Sequence, residues 1–217
     1  MINERTVKFI KKKAQQNKVS FPNNYKSILQ GYYDVAKSFG YKLSFDYSKK
    51  NKFYNVYSDI LTANAGWSLK NSPILVSPEW AYRLLCCHSD DVENAFLITL
   101  GHEMTHKANN DICTCSINIK NSKFKAYVNE VHADFNSTHI LCNNNRDKLV
   151  NALLYKKSSA TKLNGNYSHP SWDKRIEYAT NYNFNEELIR KIASDVNLTD
   201  EKIINIACHY FDEIILK

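Results

Sequence analysis

Apolar residues recur at intervals of three and four over two stretches near the beginning of the chain. The pattern runs from residue 7 to about residue 39 and is interrupted at residues 21–22, where Phe and Pro stand together. Because this spacing places apolar side chains on one face of a helix, we expect two amphipathic helices. The lysines at 11–13 are expected on the exposed surface of the first helix.

Alternating apolar and polar residues take over at 41–47, and residues 53–57 continue in types that favour strands. With a polar turn at 49–51, these two segments predict a β-hairpin. Residues 60–67 and 73–77 are predicted to be two more short extended segments. The second of them ends in Ser77-Pro78-Glu79, which is a typical helix start.

The rest of the chain is predicted to be mainly helical. Acidic residues at 90–93 begin a helix that continues through the apolar run at 95–101 and ends by residues 109–110. Residues 111–124 are expected to form a loop or an edge strand, and a second long helix follows from about Lys125 to Cys142. Further helices are predicted at 147–157, 172–181, 184–195 and 199–216, with a loop at 164–171.

Glycine and proline are scarce in this chain of 217 residues, at 5 and 4 residues. An all-β sandwich needs many more turn residues than that. The fold class is therefore predicted to be α+β and mostly helical, with a small sheet.

Two histidines and a glutamate lie in the sequence His102-Glu103-Met104-Thr105-His106. Positions i and i+4 of a helix lie on one face, so both imidazoles can reach one ion. Zinc binds neutral imidazole well, and a catalytic zinc site combines three protein ligands with an open position for water. Glu103 lies beside the two histidines and can accept a proton from that water as a general base.

A third ligand is expected on the next helix. Glu130 and Asp134 are four residues apart, so they share a helix face. Glu130 is predicted to complete a site for one zinc ion, and Asp134 to accept the other N–H of His102. His132 is the alternative ligand, but it lies two residues from Glu130, so its side chain should lie on a different face of the helix.

A plainer interpretation needs no metal. In it the histidines are ordinary surface or core residues and the carboxylates pair with lysines. It leaves the charged Glu103 unexplained, because this residue follows an apolar run that should face the core. His88, His139 and His209 are interpreted as such ordinary histidines.

The motifs resemble the gluzincin metallopeptidases, and more closely the family of the CAAX prenyl protease and the heat-shock membrane protease. That family has a Glu-x-x-Ala-Asp-like segment on its second helix, similar to residues 130–134 here. Residues 64–65, 89–91 with 101–103, and 168–171 with 175–176 also resemble family motifs in the same order. A zinc peptidase family that cleaves bacterial repressors is a weaker match, since it lacks the His-Pro and Arg-Ile motifs.

The resemblance covers roughly residues 60–180 and implies a zincin-like core that hydrolyses peptide bonds. His169 would donate a hydrogen bond to the oxyanion of the reaction. Arg175, on a predicted helix, is expected to brace the site by pairing with an acid. Asn64 and Ala65 would form an exposed strand edge that binds the substrate backbone.

On the same basis the chain is divided into an N-terminal helical segment at 1–40, a catalytic core at 41–183 and C-terminal helices at 184–217 packed on that core. Members of the family usually have transmembrane helices. The longest apolar runs of this chain are too short to span a bilayer, so no membrane span is expected.

Composition bears on location and partners. Residues 1–20 carry charge throughout and lack the apolar core of an export signal, so a cytoplasmic location with reduced cysteines is expected. Cys113-Thr114-Cys115 does not have the spacing of a zinc knuckle and is interpreted as idle thiols. The net charge is +7, but the lysines are scattered, so nucleic acid is not the expected partner.

The sequence therefore predicts a zinc metalloendopeptidase that acts on a protein or peptide substrate. Two alternatives stay open. One is a catalytically silent regulator that carries zinc, and the other is a basic nucleic-acid-binding protein, whose binding would weaken steeply with salt.

Overall fold

The structure, a computed structural model, describes residues 2–46, 61–65, 72–109, 119–160 and 162–215. The helices in these ranges are α1 (Glu4–Gln16), α2 (Tyr25–Ser38), α3 (Pro78–Cys86), α4 (Asp90–Asn109), α5 (Ile119–Leu141), α6 (Arg146–Ser158), α7 (Trp172–Asn181), α8 (Glu186–Asp195) and α9 (Glu201–Ile215). The strands are β1 (Leu43–Ser44), β2 (Ala63–Asn64) and β3 (Ile74–Val76). The predicted mostly helical α+β class is confirmed. None of the described helices combines the length and apolar character needed to cross a bilayer.

The two helices predicted at the beginning of the chain are present as α1 and α2, and α1 is anchored by a buried charge. Asn3 caps α1 by accepting a hydrogen bond from the Thr6 backbone N–H. Lys13 Nζ lies 2.5 Å from a carboxylate oxygen of Glu79, a residue of α3 that is fully buried. Lys11 and Lys12 are exposed, as expected for a surface helix, whereas Lys13 is partly buried and its ammonium balances the charge of Glu79.

The three strands form one small sheet in the order β1-β3-β2. β1 runs parallel to β3, with Leu43 opposite Ile74, and β2 runs antiparallel to β3, with Asn64 opposite Leu75. The extended segments predicted at 60–67 and 73–77 thus contain β2 and β3. The turn and second strand of the predicted hairpin, at 49–57, lie outside the described residues, and the described partner of β1 is β3.

Helix α4 is the centre of the fold. Its residues from Ile98 to Thr105 are buried in an unbroken run, and it contacts α3, α5, α6 and β2. Phe96 joins an aromatic cluster with Trp80, Phe45 and Tyr32. A helix surrounded on all sides in this way is a rigid support for any side chain that it projects into a cleft.

Helices α4 and α5 cross at very close range. A Cβ atom added to Gly101 would lie 2.9 Å from Ser137 Cα and 3.1 Å from its carbonyl oxygen. Nearby, Asn136 Nδ2 donates a hydrogen bond of 3.0 Å to Thr105 Oγ1 across the same interface. The absence of a side chain at Gly101 therefore lets the two helix backbones approach each other at the level of the histidine motif.

A second apolar cluster joins the first half of α5 to the C-terminal helices. It includes Phe124 and Val128 of α5, Tyr178 of α7, Ile192 of α8 and Ile204 of α9. The prediction of a loop or edge strand up to residue 124 is wrong for residues 119–124, because α5 begins at Ile119. The packing of Phe124 in this cluster stabilises the early turns of α5, which is information that the local sequence does not contain.

The crossing of α4 and α5 predicts opposite effects for two glycine substitutions. Gly101→Ala should lower the free energy of unfolding by roughly 1–3 kcal/mol, because the new methyl group meets backbone atoms of Ser137 that cannot move aside. Gly31→Ala in α2 is the matched control, since nothing lies within 4 Å of its added Cβ. It should raise stability by up to about 1 kcal/mol through helix propensity. Chemical denaturation measures both, and an unchanged or higher stability of Gly101→Ala would contradict the close crossing.

Candidate metal centre

Three predicted ligands meet where α4 and α5 face each other. One ligand atom from each of His102, His106 and Glu130 can be chosen so that all lie within 4.8 Å of one another. The two histidine Nε2 atoms are 2.9 Å apart. His106 Nε2 lies 3.3 Å from Glu130 Oε1, and His102 Nε2 lies 3.5 Å from Glu130 Oε2. These three side chains form a group that could hold a metal ion.

The hydrogen bonds around the group support such a role for the histidines. His102 Nδ1 lies 2.9 Å from Asp134 Oδ1. A carboxylate can only accept a hydrogen bond there, which places the N–H of a neutral His102 on Nδ1 and leaves a lone pair on Nε2. That lone pair faces His106 Nε2. The contact predicted between Asp134 and His102 is therefore present, with the geometry of a carboxylate that orients a metal ligand.

Glu130 has an unsatisfied oxygen. Its Oε2 atom is buried and has no hydrogen-bond partner among the described residues, although His102 Nε2 at 3.5 Å and Arg175 Nη1 at 3.9 Å lie within ion-pair distance of it. Burial alone would raise the pKa of Glu130, but the imidazoles of His102 and His106 hold that pKa well below its usual range. A buried carboxylate oxygen without a hydrogen bond is unfavourable unless another positive group satisfies it. Imidazole nitrogen and carboxylate oxygen are both ligands that zinc accepts, so the residues present fit such an ion.

Asp134 is also held by a guanidinium from α7. Arg175 Nε donates to Asp134 Oδ2 at 2.8 Å, and Arg175 Nη2 donates to Oδ1 at 2.5 Å. Burial would raise the pKa of Asp134, but Arg175 and His102 hold it well below its usual range. The prediction that Arg175 pairs with an acid is confirmed. The two-pronged contact fixes the orientation of the carboxylate that in turn orients His102.

Glu103 lies in the same buried region and is 9% exposed. Among the described residues it makes no hydrogen bond or ion pair. Its charge affects two nearby cations. Burial lowers the pKa of Lys107, and Glu103 opposes that shift. Burial also opposes the raised pKa of Arg175, which is due mainly to Asp134 and to a smaller extent to Glu103. Glu103 is thus a carboxylate without a partner in the described structure, next to the candidate ligands, and could accept a proton.

His169 approaches the group from a loop. Its Nε2 atom lies 3.4 Å from Glu130 Oε1, and it is outside the set of three residues that could share one ion. The loop is held by Asn166, whose Oδ1 accepts from the backbone N–H groups of Ser168 and His169. Tyr127 of α5 donates to the Asn166 carbonyl oxygen at 2.8 Å. Burial and the cations around it lower the pKa of His169, although Glu130 opposes them.

The remaining predicted residues are placed as follows. Asn64 ends β2, an outer strand of the described sheet, and Ala65 follows it with a buried side chain. A role of these two residues in substrate binding stays a prediction. His132 turns away from the ligand group, with its Nδ1 3.2 Å from Asn109 Nδ2.

The other described histidines and cysteines lie outside the group that could share one ion. His88, His139 and His209 are exposed. Cys142 and Cys208 are buried, and Cys86 and Cys87 are partly buried. The Cys113-Thr114-Cys115 segment lies outside the described residues.

Several supporting residues were not predicted from the sequence. Tyr127 and Asn166 hold the loop of His169, and Trp172 lies against Arg175, with 4.8 Å between the guanidinium carbon and the ring centroid. These contacts join residues that are far apart in the chain or belong to an irregular loop. The interval of three residues from Asn166 to His169 is typical of a turn capped by an Asn side chain. This interval is the one sequence signal that could have predicted the support of the loop.

The ligand group predicts the metal content of variants. His106→Ala and Glu130→Ala should each lose bound zinc, because each removes one of three ligands, whereas the wild-type chain should carry about one ion. His88→Ala is the control, since that histidine is exposed and lies outside the group. Metal analysis of the purified proteins measures this. Zinc retained in both ligand variants would contradict the assignment.

Comparisons with protein-family models, with curated proteins and with solved structures give no match for this chain. The likeness to the gluzincin peptidases therefore rests on the motifs quoted from the sequence, and the function is inferred from the geometry of the site.

Proposed function

We propose that this chain is a zinc-dependent peptidase in which His102, His106 and Glu130 bind the ion and Glu103 is the general base. The observation that carries the proposal is the meeting of these three ligands beside a buried carboxylate that has no partner among the described residues. A site with two histidines, one glutamate and an adjacent free carboxylate is the arrangement used for hydrolysis by an activated water.

A zinc ion at this position would lower the pKa of a bound water and polarise the carbonyl of the substrate. The carboxylate of Glu103 would remove a proton from the attacking water as the new C–O bond forms. It would then deliver that proton to the departing amine as the C–N bond breaks, so the products are a carboxylic acid and an amine. Glu103 thus begins and ends the cycle as a carboxylate.

The residues around the ligands would orient the reaction. Asp134 fixes the tautomer of His102, and Arg175 fixes Asp134. His169 lies on the Glu130 side of the group, where it could donate from Nε2 to the oxygen of the polarised carbonyl. The short distance between His169 Nε2 and Glu130 Oε1 favours a proton on Nε2, which this role requires.

Replacing the general base should abolish cleavage without unfolding the protein. Glu103→Gln is expected to lower kcat by roughly 10²–10⁴-fold, because the amide cannot accept the proton of the water. Zinc content and the unfolding curve should stay close to those of the wild type. Glu187→Gln, the same chemical change at an exposed position of α8, is the control and should keep full activity.

The assay is cleavage of a randomised peptide library, read by mass spectrometry of the products. Full proteolysis by Glu103→Gln would contradict the mechanism. Zinc binding by a wild-type protein that cleaves no peptide would instead favour the catalytically silent regulator.

His169 should affect turnover more than metal binding. His169→Ala is expected to lower kcat by roughly 10²-fold or more through loss of an oxyanion donor, and to change KM much less. The zinc content should stay at the wild-type value, because His169 lies outside the ligand group. His139→Ala on the exposed face of α5 is the control. Loss of zinc in His169→Ala, or unchanged kcat, would contradict this role.

A further inference from the structure

An open cavity of about 660 Å³ lies beside the candidate metal centre. Its wall is formed by loop residues 162–166 together with His169, Pro170, Trp172 and Arg175. Two of these residues also touch the metal centre, since His169 Nε2 lies 3.4 Å and Arg175 Nη1 3.9 Å from oxygens of Glu130. A peptide held over the metal ligands would therefore extend one side of its chain into this cavity.

The charge of the cavity wall is positive. Lys162 and Arg175 line it, and none of the described residues in its wall is a carboxylate. The guanidinium of Arg175 is already bound to Asp134. Lys162 makes no ion pair or hydrogen bond within the described part of the chain. The cavity thus offers an ammonium group whose charge no described carboxylate balances.

A second lysine lies behind the wall. The ammonium of Lys156 is 5.4 Å from the ring centroid of Trp172, the residue that also stacks on Arg175. Among the described residues Lys156 has no ion pair, whereas its neighbour Lys157 lies 2.5 Å from Asp173. Burial and the charge of Arg175 lower the pKa of Lys156 to about 8, although the nearby carboxylates oppose them. Lys156 is not among the described residues that line the cavity, so its ammonium adds positive charge behind Trp172 without contacting an anion bound there.

The loop that forms the cavity wall is closely packed. A Cβ atom added to Gly165 would lie 2.6 Å from the Ser171 backbone nitrogen and 2.8 Å from the His169 carbonyl oxygen, so the loop is closely packed there. The Asn166 backbone N–H donates to that same His169 carbonyl at 2.9 Å. Leu163, 46% exposed, adds an apolar surface at the rim. The cavity therefore combines a fixed shape with cationic and apolar contacts, as a peptide subsite requires.

We propose that this cavity is a substrate subsite that binds a carboxylate of the peptide on the His169 side of the scissile bond. The carboxylate is that of an Asp or Glu side chain or of the C-terminus. Lys162 is the cation that lines the site, and Lys156, behind Trp172, adds to its positive charge. The proposal rests on the proposed peptidase function, because it takes the metal centre as the point where the substrate is held.

The test measures binding, so that it does not depend on cleavage. The full-length Glu103→Gln protein, loaded with zinc, is immobilised and exposed to a randomised octapeptide library, made once with a C-terminal amide and once with a free carboxylate. Acidic residues should be enriched about tenfold at one position of the amide library if a side chain is bound. If the C-terminus is bound, the free-acid library should be retained about tenfold more than the amide library.

Charge-removing variants locate the site of selection. Lys162→Gln, at an exposed position, and Lys156→Met, which keeps the length of the side chain, should each reduce the preference severalfold. Lys157→Gln is the matched control, because that ammonium is already paired with Asp173, and it should keep the preference. A preference that survives in the Lys156→Met, Lys162→Gln double variant would overturn the proposal, since the carboxylate would then bind elsewhere, including to the metal.

Equal retention of acidic and neutral peptides, or no retention of any peptide by the zinc-loaded protein, would also overturn the subsite. Its failure can be told apart from that of the peptidase function. Cleavage of the library by the wild type without acidic preference would remove the subsite and leave the peptidase. Retention of acidic peptides by a wild-type protein that cleaves no peptide would leave the subsite and remove the peptidase function.

Discussion

Buried charge is the constraint on which this structure depends. Glu103, Glu130 and Asp134 are at most 9% exposed, and Arg175, which contacts Asp134 directly, is 7% exposed. The ammonium groups of Lys107 and Lys156 influence these carboxylates but form no ion pair with them among the described residues. Buried carboxylates are unfavourable unless a close positive group compensates them. A divalent cation among His102, His106 and Glu130 would provide such compensation.

The elements that carry these charges are placed by packing between helices. Gly101 lets α4 and α5 cross closely, and this crossing brings the histidines of one helix to the carboxylates of the other. The ligands therefore lie on the two most deeply packed helices of the described fold. His169, in contrast, lies on a loop that Asn166 and Tyr127 hold in place. Candidate ligands on rigid helices and a histidine on a supported loop would suit a metal site that is approached from the loop side.

The sequence predicted the parts of this arrangement that depend on local spacing. The four-residue intervals His102 to His106 and Glu130 to Asp134 each fix a helix face, whereas the pairing of Arg175 with an acid was expected from the family resemblance. What depends on long-range packing was not foreseen. The early start of α5 at Ile119, the parallel pairing of β1 with β3 and the position of Lys156 over Trp172 all come from contacts between segments distant in the chain. Local propensity does not determine such contacts.

The identity and ligands of the metal are the central claim, and X-ray absorption at the zinc edge of the purified wild-type protein tests it most directly. The site predicts a first coordination sphere of nitrogen and oxygen only, at about 2.0–2.2 Å, with the multiple-scattering pattern of two imidazoles. Sulfur at about 2.3 Å would show that cysteines hold the ion instead. A protein that retains no zinc would leave the buried carboxylates without the cation inferred here. Either result would contradict a metal centre formed by His102, His106 and Glu130.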